Sequence, residues 1–215
     1  MTRTLKATDI ITIAGKVISD LSWHIEELRL LDARLGDGDL GVTIEVGIKA
    51  IKDYLASSGE DDIGKLLMHC GLNFNRASPS TFGTLLASAL LEAGKALQGK
   101  REIGLDDLVA AGKASVAGVK NRGKAELGDK TMLDSLIPAV KAFEHELSRG
   151  VETKEAFSLV VTVAEEGMRA TTNMRAKHSR ASWRQEDSVG VQDAGATAMY
   201  YIIKSITQHL SDYLS

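Results

Sequence analysis

Apolar residues recur at three- and four-residue spacing almost from end to end of this 215-residue chain, and only two prolines interrupt them. Proline is excluded from helix interiors, and that spacing lines one face of a helix, so the pattern restricts the chain to packed α-helices. Residues 7–30 carry Ile10, Ile13, Val17, Leu21 and Ile25 and predict a first helix. A second is expected over 41–55, with Ser57-Ser58-Gly59 closing it, a third over 62–74, and a fourth over 80–97, ended by Gly99. Asp106 and Asp107 open a fifth over 105–120, where acids favour the helix dipole. A sixth over 131–147 contains Pro138, which predicts a kink. The last two are expected over 153–170 and 195–214.

Eight helices on mostly short connections predict an all-α, antiparallel bundle or closed barrel. No strand alternation, repeat or linker divides it, so residues 1–215 read as a single domain. Aromatics at 5% point the same way, because strands are usually rich in them. A net charge of −3 offers nothing to nucleic acid or an anionic membrane surface. The lone cysteine, Cys70, cannot form an intramolecular disulfide and lies in an apolar run. The N-terminal residues lack a signal-peptide core, and no apolar run is long enough to span a bilayer, so a reducing cytoplasm is expected. One connection, 171–194, is too long for ordinary joining and reads as functional.

Four segments carry chemistry. Asp32, Asp37 and Asp39 sit with three glycines between two helices. Three neighbouring carboxylates repel unless a cation compensates, and magnesium takes one or two of them per ion together with phosphate oxygens. Capping of the next helix is the simpler account of the same aspartates. An EF-hand does not fit, because the twelfth position from Asp37 is Ile48. Ser78 and Ser80 read as N-caps around Pro79, in a hydroxyl-rich helix start suited to phosphate oxygens. The polar run 122–134 and the long loop, with Ser179-Arg180-Ala181-Ser182 and Gln192-Asp193-Ala194-Gly195, complete the set. Arginine there suits phosphate through its forked donors.

Together these segments resemble the nucleotide-binding L subunit of dihydroxyacetone kinases, also found as the C-terminal domain of single-chain forms. The resemblance rests on Asp32, Asp37 and Asp39, on Arg-Gly-Lys-Ala-Glu (122–126), Gly-Asp-Lys-Thr-Met (128–132), Arg-Ala-Ser (180–182) and Gln-Asp-x-Gly-Ala-Thr (192–197). It implies an eight-helix barrel with a nucleotide site at one end. By resemblance, the three aspartates hold two Mg2+ ions against ADP or ATP. Leu40, Gly41, Val42 and Thr43 would offer backbone N–H groups. Ala77, Ser78, Gly123 and Met132 would line the pocket, with Met132 against the adenine. Arg180 would reach the phosphates, and Asp193, Ala194 and Gly195 would close over them. A separate K-type subunit would hold the keto sugar, so no side-chain base is expected in this chain. A phosphotransferase protein that recharges bound ADP is a further implied partner.

The chain departs from that family in Asn75-Arg76-Ala77-Ser78-Pro79, where Gly-Gly-Ala-Ser-Gly is usual, and in Leu40-Gly41, where His-Gly is usual. The long-loop run Trp183-Arg184-Gln185-Glu186-Asp187 also differs. The three aspartates are kept while these surrounding positions change, which suggests a keto sugar other than dihydroxyacetone. They also fit the other reading, a nucleotide-loaded regulatory module without transfer activity.

Overall fold

The computed structural model describes residues 4–178, 182 and 186–214. Among them are nine α-helices: α1 Ala7–Ser22, α2 Ile25–Asp32, α3 Leu40–Ser57, α4 Ile63–Ala77, α5 Thr81–Ala96, α6 Leu105–Gly123, α7 Leu133–Ser148, α8 Thr153–Ala170 and α9 Ala194–Leu214. A 3₁₀ turn, Thr171–Asn173, follows α8, and two short strands, β1 Leu5–Lys6 and β2 Glu102–Ile103, pair antiparallel with Leu5 opposite Ile103. No described helix is long and apolar enough to cross a membrane.

The expected first helix divides in two. Trp23 N–H donates to the Asp20 carbonyl and His24 N–H to the Leu21 carbonyl, i→i−3 bonds that tighten and end α1. No glycine or proline marks the break, and the apolar stripe continues across it through buried Leu21 and Leu28. The periodicity therefore gives no warning of it. The division frees α2 to pack against α3 and α9, which carries Asp32 towards the start of α3.

Helix contacts run α1 on α9, α9 on α8, and so in turn down to α4 on α3, with α3 back on α1. Eight helices thus close a ring, and α2 is an addition to it rather than a wall. A main core fills the ring, from Leu5 to Leu214, with Phe74, Leu133, Ala164 and Ala196 wholly buried, and Leu55, Leu66 and Cys70 form a smaller second cluster. Neighbours joined by short connections run antiparallel, so every second connection falls at the same end. Connections α2–α3, α4–α5, α6–α7 and α8–α9 share one end, and these are the four segments that sequence singled out. At the opposite end β1 pairs with β2 in the α5–α6 connection, and Asp62 ties the α4 start to it. The Asp62 carboxylate accepts from Lys65 N–H at 3.1 Å and Gly99 N–H at 3.0 Å.

Helix α7 runs through Pro138 without a break. Proline has no N–H, so the Asp134 carbonyl four residues earlier loses its helical donor. That carbonyl lies against α8 at Gly167, where an added Cβ would come within 1.9 Å of it.

A carboxylate-lined cavity at one end of the ring

The turn between α2 and α3 is built around Asp32. Gly36 N–H closes on the Asp32 carbonyl at 2.7 Å, and a Cβ on Gly36 would lie 2.7 Å from the Asp32 carboxylate. Gly38 adopts φ +74°, a conformation that costs other residues energy. With both glycines the chain folds back so that carboxylate oxygens of Asp32, Asp37 and Asp39 all lie within 4.8 Å of one another. Asp32 is half-buried and accepts from Leu40 N–H at 3.4 Å. Desolvation raises its pKa, and the charges of Asp39 and Asp37 add to the rise.

Three hard oxygen donors so close suit a small divalent cation. Oxygens around magnesium at ~2.1 Å stand at most ~4.2 Å apart, so modest side-chain rotation would complete the fit. The cluster opens on a cavity of about 1180 Å³ that Asp32, Asp39, Leu40, Gly123, Met132 and Asp193–Gly195 help to line. Apolar Phe82, Leu85, Val119 and Met132 also line it, and Met132 is only 2% exposed. Arg122 and Lys177 bring positive charge to the wall. The volume slightly exceeds that of common ligand pockets.

Other expected residues stand elsewhere. A Cβ on Gly41 would meet the Ile25 carbonyl at 2.6 Å, so this residue faces α2. Thr43 is buried and its N–H already donates to the Asp39 carbonyl at 2.8 Å, while Val42 is exposed. Neither lines the cavity. Ala77 ends α4, and Ser78 is its C-cap rather than an N-cap of the next helix. Ser80 alone caps α5, accepting from Gly83 N–H at 3.0 Å, so Pro79 precedes the cap instead of entering the first turn. Pro79, Ser80 and Thr81 form that stretch of wall. Arg180, like Trp183, Arg184 and Gln185, lies outside the described residues.

Several wall residues were not expected. Lys130, Lys177, His178 and Gln192 line the cavity. Their sequence signal is faint, since polar residues in a long loop are ordinary. Lys130 has φ +62° and lies 3% exposed. Burial lowers its pKa, against the opposing charges of Asp193 and Asp134. Burial likewise pushes the Asp193 carboxyl up to about 6, although it accepts from Ala196 N–H at 2.7 Å at the start of α9 and faces Lys130. Asp134 accepts from Gly128 N–H at 2.6 Å and Thr131 N–H at 2.7 Å, which folds the 128–131 turn onto α7.

Asp129 joins that turn to the long loop. It accepts from Lys177 Nζ at 2.7 Å, His178 Nε2 at 3.1 Å and Glu126 N–H at 2.8 Å. The Lys177 ammonium is the chief cause holding its carboxyl at about 2. A depressed carboxylate pKa stabilises the fold fully above the unfolded value of ~3.9, and that stabilisation is lost as pH falls through about 2. Asp129→Asn should therefore flatten the fall in stability between about pH 4 and pH 2, as measured by denaturant unfolding across that range. Lys177 is 61% exposed, so salt should shrink the difference.

The sequence pattern of the DAK2 domain matches residues 34–208. The chain is 29% identical over 202 residues to the ADP-binding subunit of the PEP-dependent dihydroxyacetone kinase of Escherichia coli (strain K12), covering 94% of this chain and 96% of that protein. Identity to the corresponding subunit of kinase 2 of Listeria innocua is 30% over 202 residues, covering 91% and 93%. The D-erythrulose kinase of Mycolicibacterium smegmatis is 32% identical over 186 residues, which cover 84% of this chain and 32% of that one. In fold, the chain is similar to the dihydroxyacetone kinase of C. freundii, with TM-score 0.73 and 24% identity, over 97% of this chain and 35% of that one. The same kinase in complex with AMP-PNP and Mg2+ gives TM-score 0.71.

Proposed function

The chain belongs to the DAK2 domain family, and from that premise we propose that it is the nucleotide-binding subunit of a dihydroxyacetone-type kinase. It holds ADP or ATP with magnesium and delivers a phosphoryl group to a keto sugar carried on a separate K-type subunit. The observation that carries this reading is one cavity lined both by carboxylates of the Asp32, Asp37 and Asp39 cluster and by apolar Phe82, Leu85, Val119 and Met132. The first suits magnesium and phosphate, the second a base. The near-complete overlap with stand-alone ADP-binding subunits supports a subunit, a single domain over 1–215, that needs a partner.

In this reading Asp32, Asp37 and Asp39 hold two magnesium ions, which when bound would neutralise phosphate charge. Of the expected first-turn residues of α3, Leu40 is the one that borders the cavity, at a helix start where the dipole favours an anion. Met132 and Gly123 flank the base, and Asp193–Gly195 border the same cavity as Asp32 and Asp39. The side chains near the cluster orient and exclude water; the chain supplies no base, so its part in transfer is positioning and charge. Likeness to PEP-dependent subunits favours ADP that stays bound and is recharged by a phosphotransferase protein. Likeness to an erythrulose kinase keeps a larger keto sugar than dihydroxyacetone in view.

Thermal unfolding with ADP, with magnesium, and with both tests the reading. Saturation at ~100 times Kd stabilises the folded state by about 2.7 kcal/mol, or roughly 5–10 °C for a chain of this size. Only the combination should give the full shift. An unchanged midpoint with both ligands would refute nucleotide binding.

A further inference from the structure

Lys130 is a buried lysine whose ammonium group, among the described residues, bonds backbone carbonyls and no carboxylate. Its Nζ donates to the carbonyls of Thr171 at 2.6 Å, Val191 at 2.5 Å, Ser188 at 2.7 Å and Met174 at 3.2 Å. An ammonium has three N–H bonds, so four carbonyls share them and none is left to aim into the cavity. This separates Lys130 from a phosphate-binding lysine, which would present its charge to the ligand.

The four carbonyls belong to both legs of the long α8–α9 connection. The legs are also joined to each other. Gly190 N–H donates to the Thr172 carbonyl at 2.7 Å, Ala176 N–H to Ser188 Oγ at 3.0 Å, and Asp193 N–H to Thr171 Oγ1 at 3.0 Å. Lys130 itself is held in the 128–131 turn, which Asp134 folds onto α7. Next to it, Asp129 takes Lys177 and His178 from the first leg. A cation at this centre draws inward carbonyl dipoles that would otherwise turn to water.

We propose that Lys130 is a positioning residue for the nucleotide site: a tethered cation around which segments 171–174 and 188–191 fold. By gathering those carbonyls it sets the cavity wall of Lys177, His178, Gln192 and Asp193. It acts through the backbone and not by touching the nucleotide. The inference rests on the proposed function, since the wall it sets is the nucleotide's.

The test uses the full chain with Lys130→Ala, Mg-ADP calorimetry, and hydrogen exchange of peptides within 171–178 and 186–193. Lys130→Ala should weaken Mg-ADP about tenfold or more and speed exchange in both legs at least about tenfold, while α3–α6 keep wild-type protection. Added n-propylammonium, which replaces the missing side-chain atoms and charge, should restore both. Neutral n-propanol should restore neither, which a merely space-filling role would not predict. Wild-type affinity despite exposed legs, or legs still protected, overturns the proposal, as does rescue by propanol. If Lys130→Ala fails to fold, Ser188→Ala removes the Ala176 acceptor and leaves the lysine. It should loosen both legs and weaken Mg-ADP severalfold, and unchanged affinity with loosened legs again overturns the idea. Should the wild-type protein itself not bind Mg-ADP, the proposed function fails first, and exchange in the two legs still decides whether Lys130 is their anchor.

Discussion

Asp37→Ala is expected to weaken magnesium-dependent ADP binding by about 100-fold or more while leaving the apo protein at least as stable as the wild type. Residues that merely support a metal ligand cost roughly 10–100-fold when removed, so a carboxylate in the cluster itself should cost the upper figure or beyond. Stability should move the other way. Asp37 is exposed, and its carboxylate oxygens lie within 4.8 Å of those of Asp32 and Asp39. Removing one of three like charges relieves repulsion in the metal-free protein. The two effects together separate a binding site from a helix cap, because loss of a cap costs stability, about 1 kcal/mol, with no special dependence on magnesium. Calorimetry with ADP at fixed magnesium and denaturant unfolding without either ligand make the comparison. Asp37→Ala binding Mg-ADP like the wild type would remove the metal from the proposed function.

Gly167→Ala should destabilise the fold by about 3 kcal/mol or more, whereas the same change at Gly15 should stabilise it by roughly 0.5–1 kcal/mol. Both glycines are helical, and alanine is the better helix former at either. Space decides the sign. A Cβ at Gly15 meets nothing within 4 Å. A Cβ at Gly167 would stand 1.9 Å from the Asp134 carbonyl oxygen and 3.0 Å from its carbon, and backbone cannot swing aside as a side-chain tip can. The helices α7 and α8 would have to part, and the 128–131 turn that hangs on Asp134 would move with them. Thermal midpoints should differ in opposite directions, by roughly 2–4 °C per kcal/mol for a chain of this length. A Gly167→Ala midpoint at or above the wild type would show that α7 and α8 separate more easily than this geometry allows.

Much of this was legible beforehand, and where it was not the cause is identifiable. Helices α3 to α9 lie where three- and four-residue spacing placed them, within a few residues, because that spacing is a local property of each segment. The break at Trp23–His24 escaped because nothing in those side chains forbids a helix; the chain turns there so that α2 can pack on α3 and α9. Pro138 was expected to disturb its helix. α7 continues through it, and the freed Asp134 carbonyl lies against α8 at a glycine. Ser78 and Ser80 looked alike in sequence, and backbone geometry made the first a C-cap and the second an N-cap. Lys130 stood in a polar, glycine-punctuated run, where solvent exposure is the ordinary expectation.

Sequence alone determined that the chain is helical, that its helices are connected closely enough to run antiparallel, and that Asp32, Asp37 and Asp39 form a cluster on a glycine-rich turn. These depend on neighbours within a few residues, where spacing and backbone preference act directly. Tertiary structure decided which connections share an end of the ring, which wall the cluster faces, and that Lys130 is buried among carbonyls 41 to 61 residues further along the chain. No local pattern encodes such a contact, because its partners are backbone groups that every residue carries, and only closure of the ring selects which of them meet.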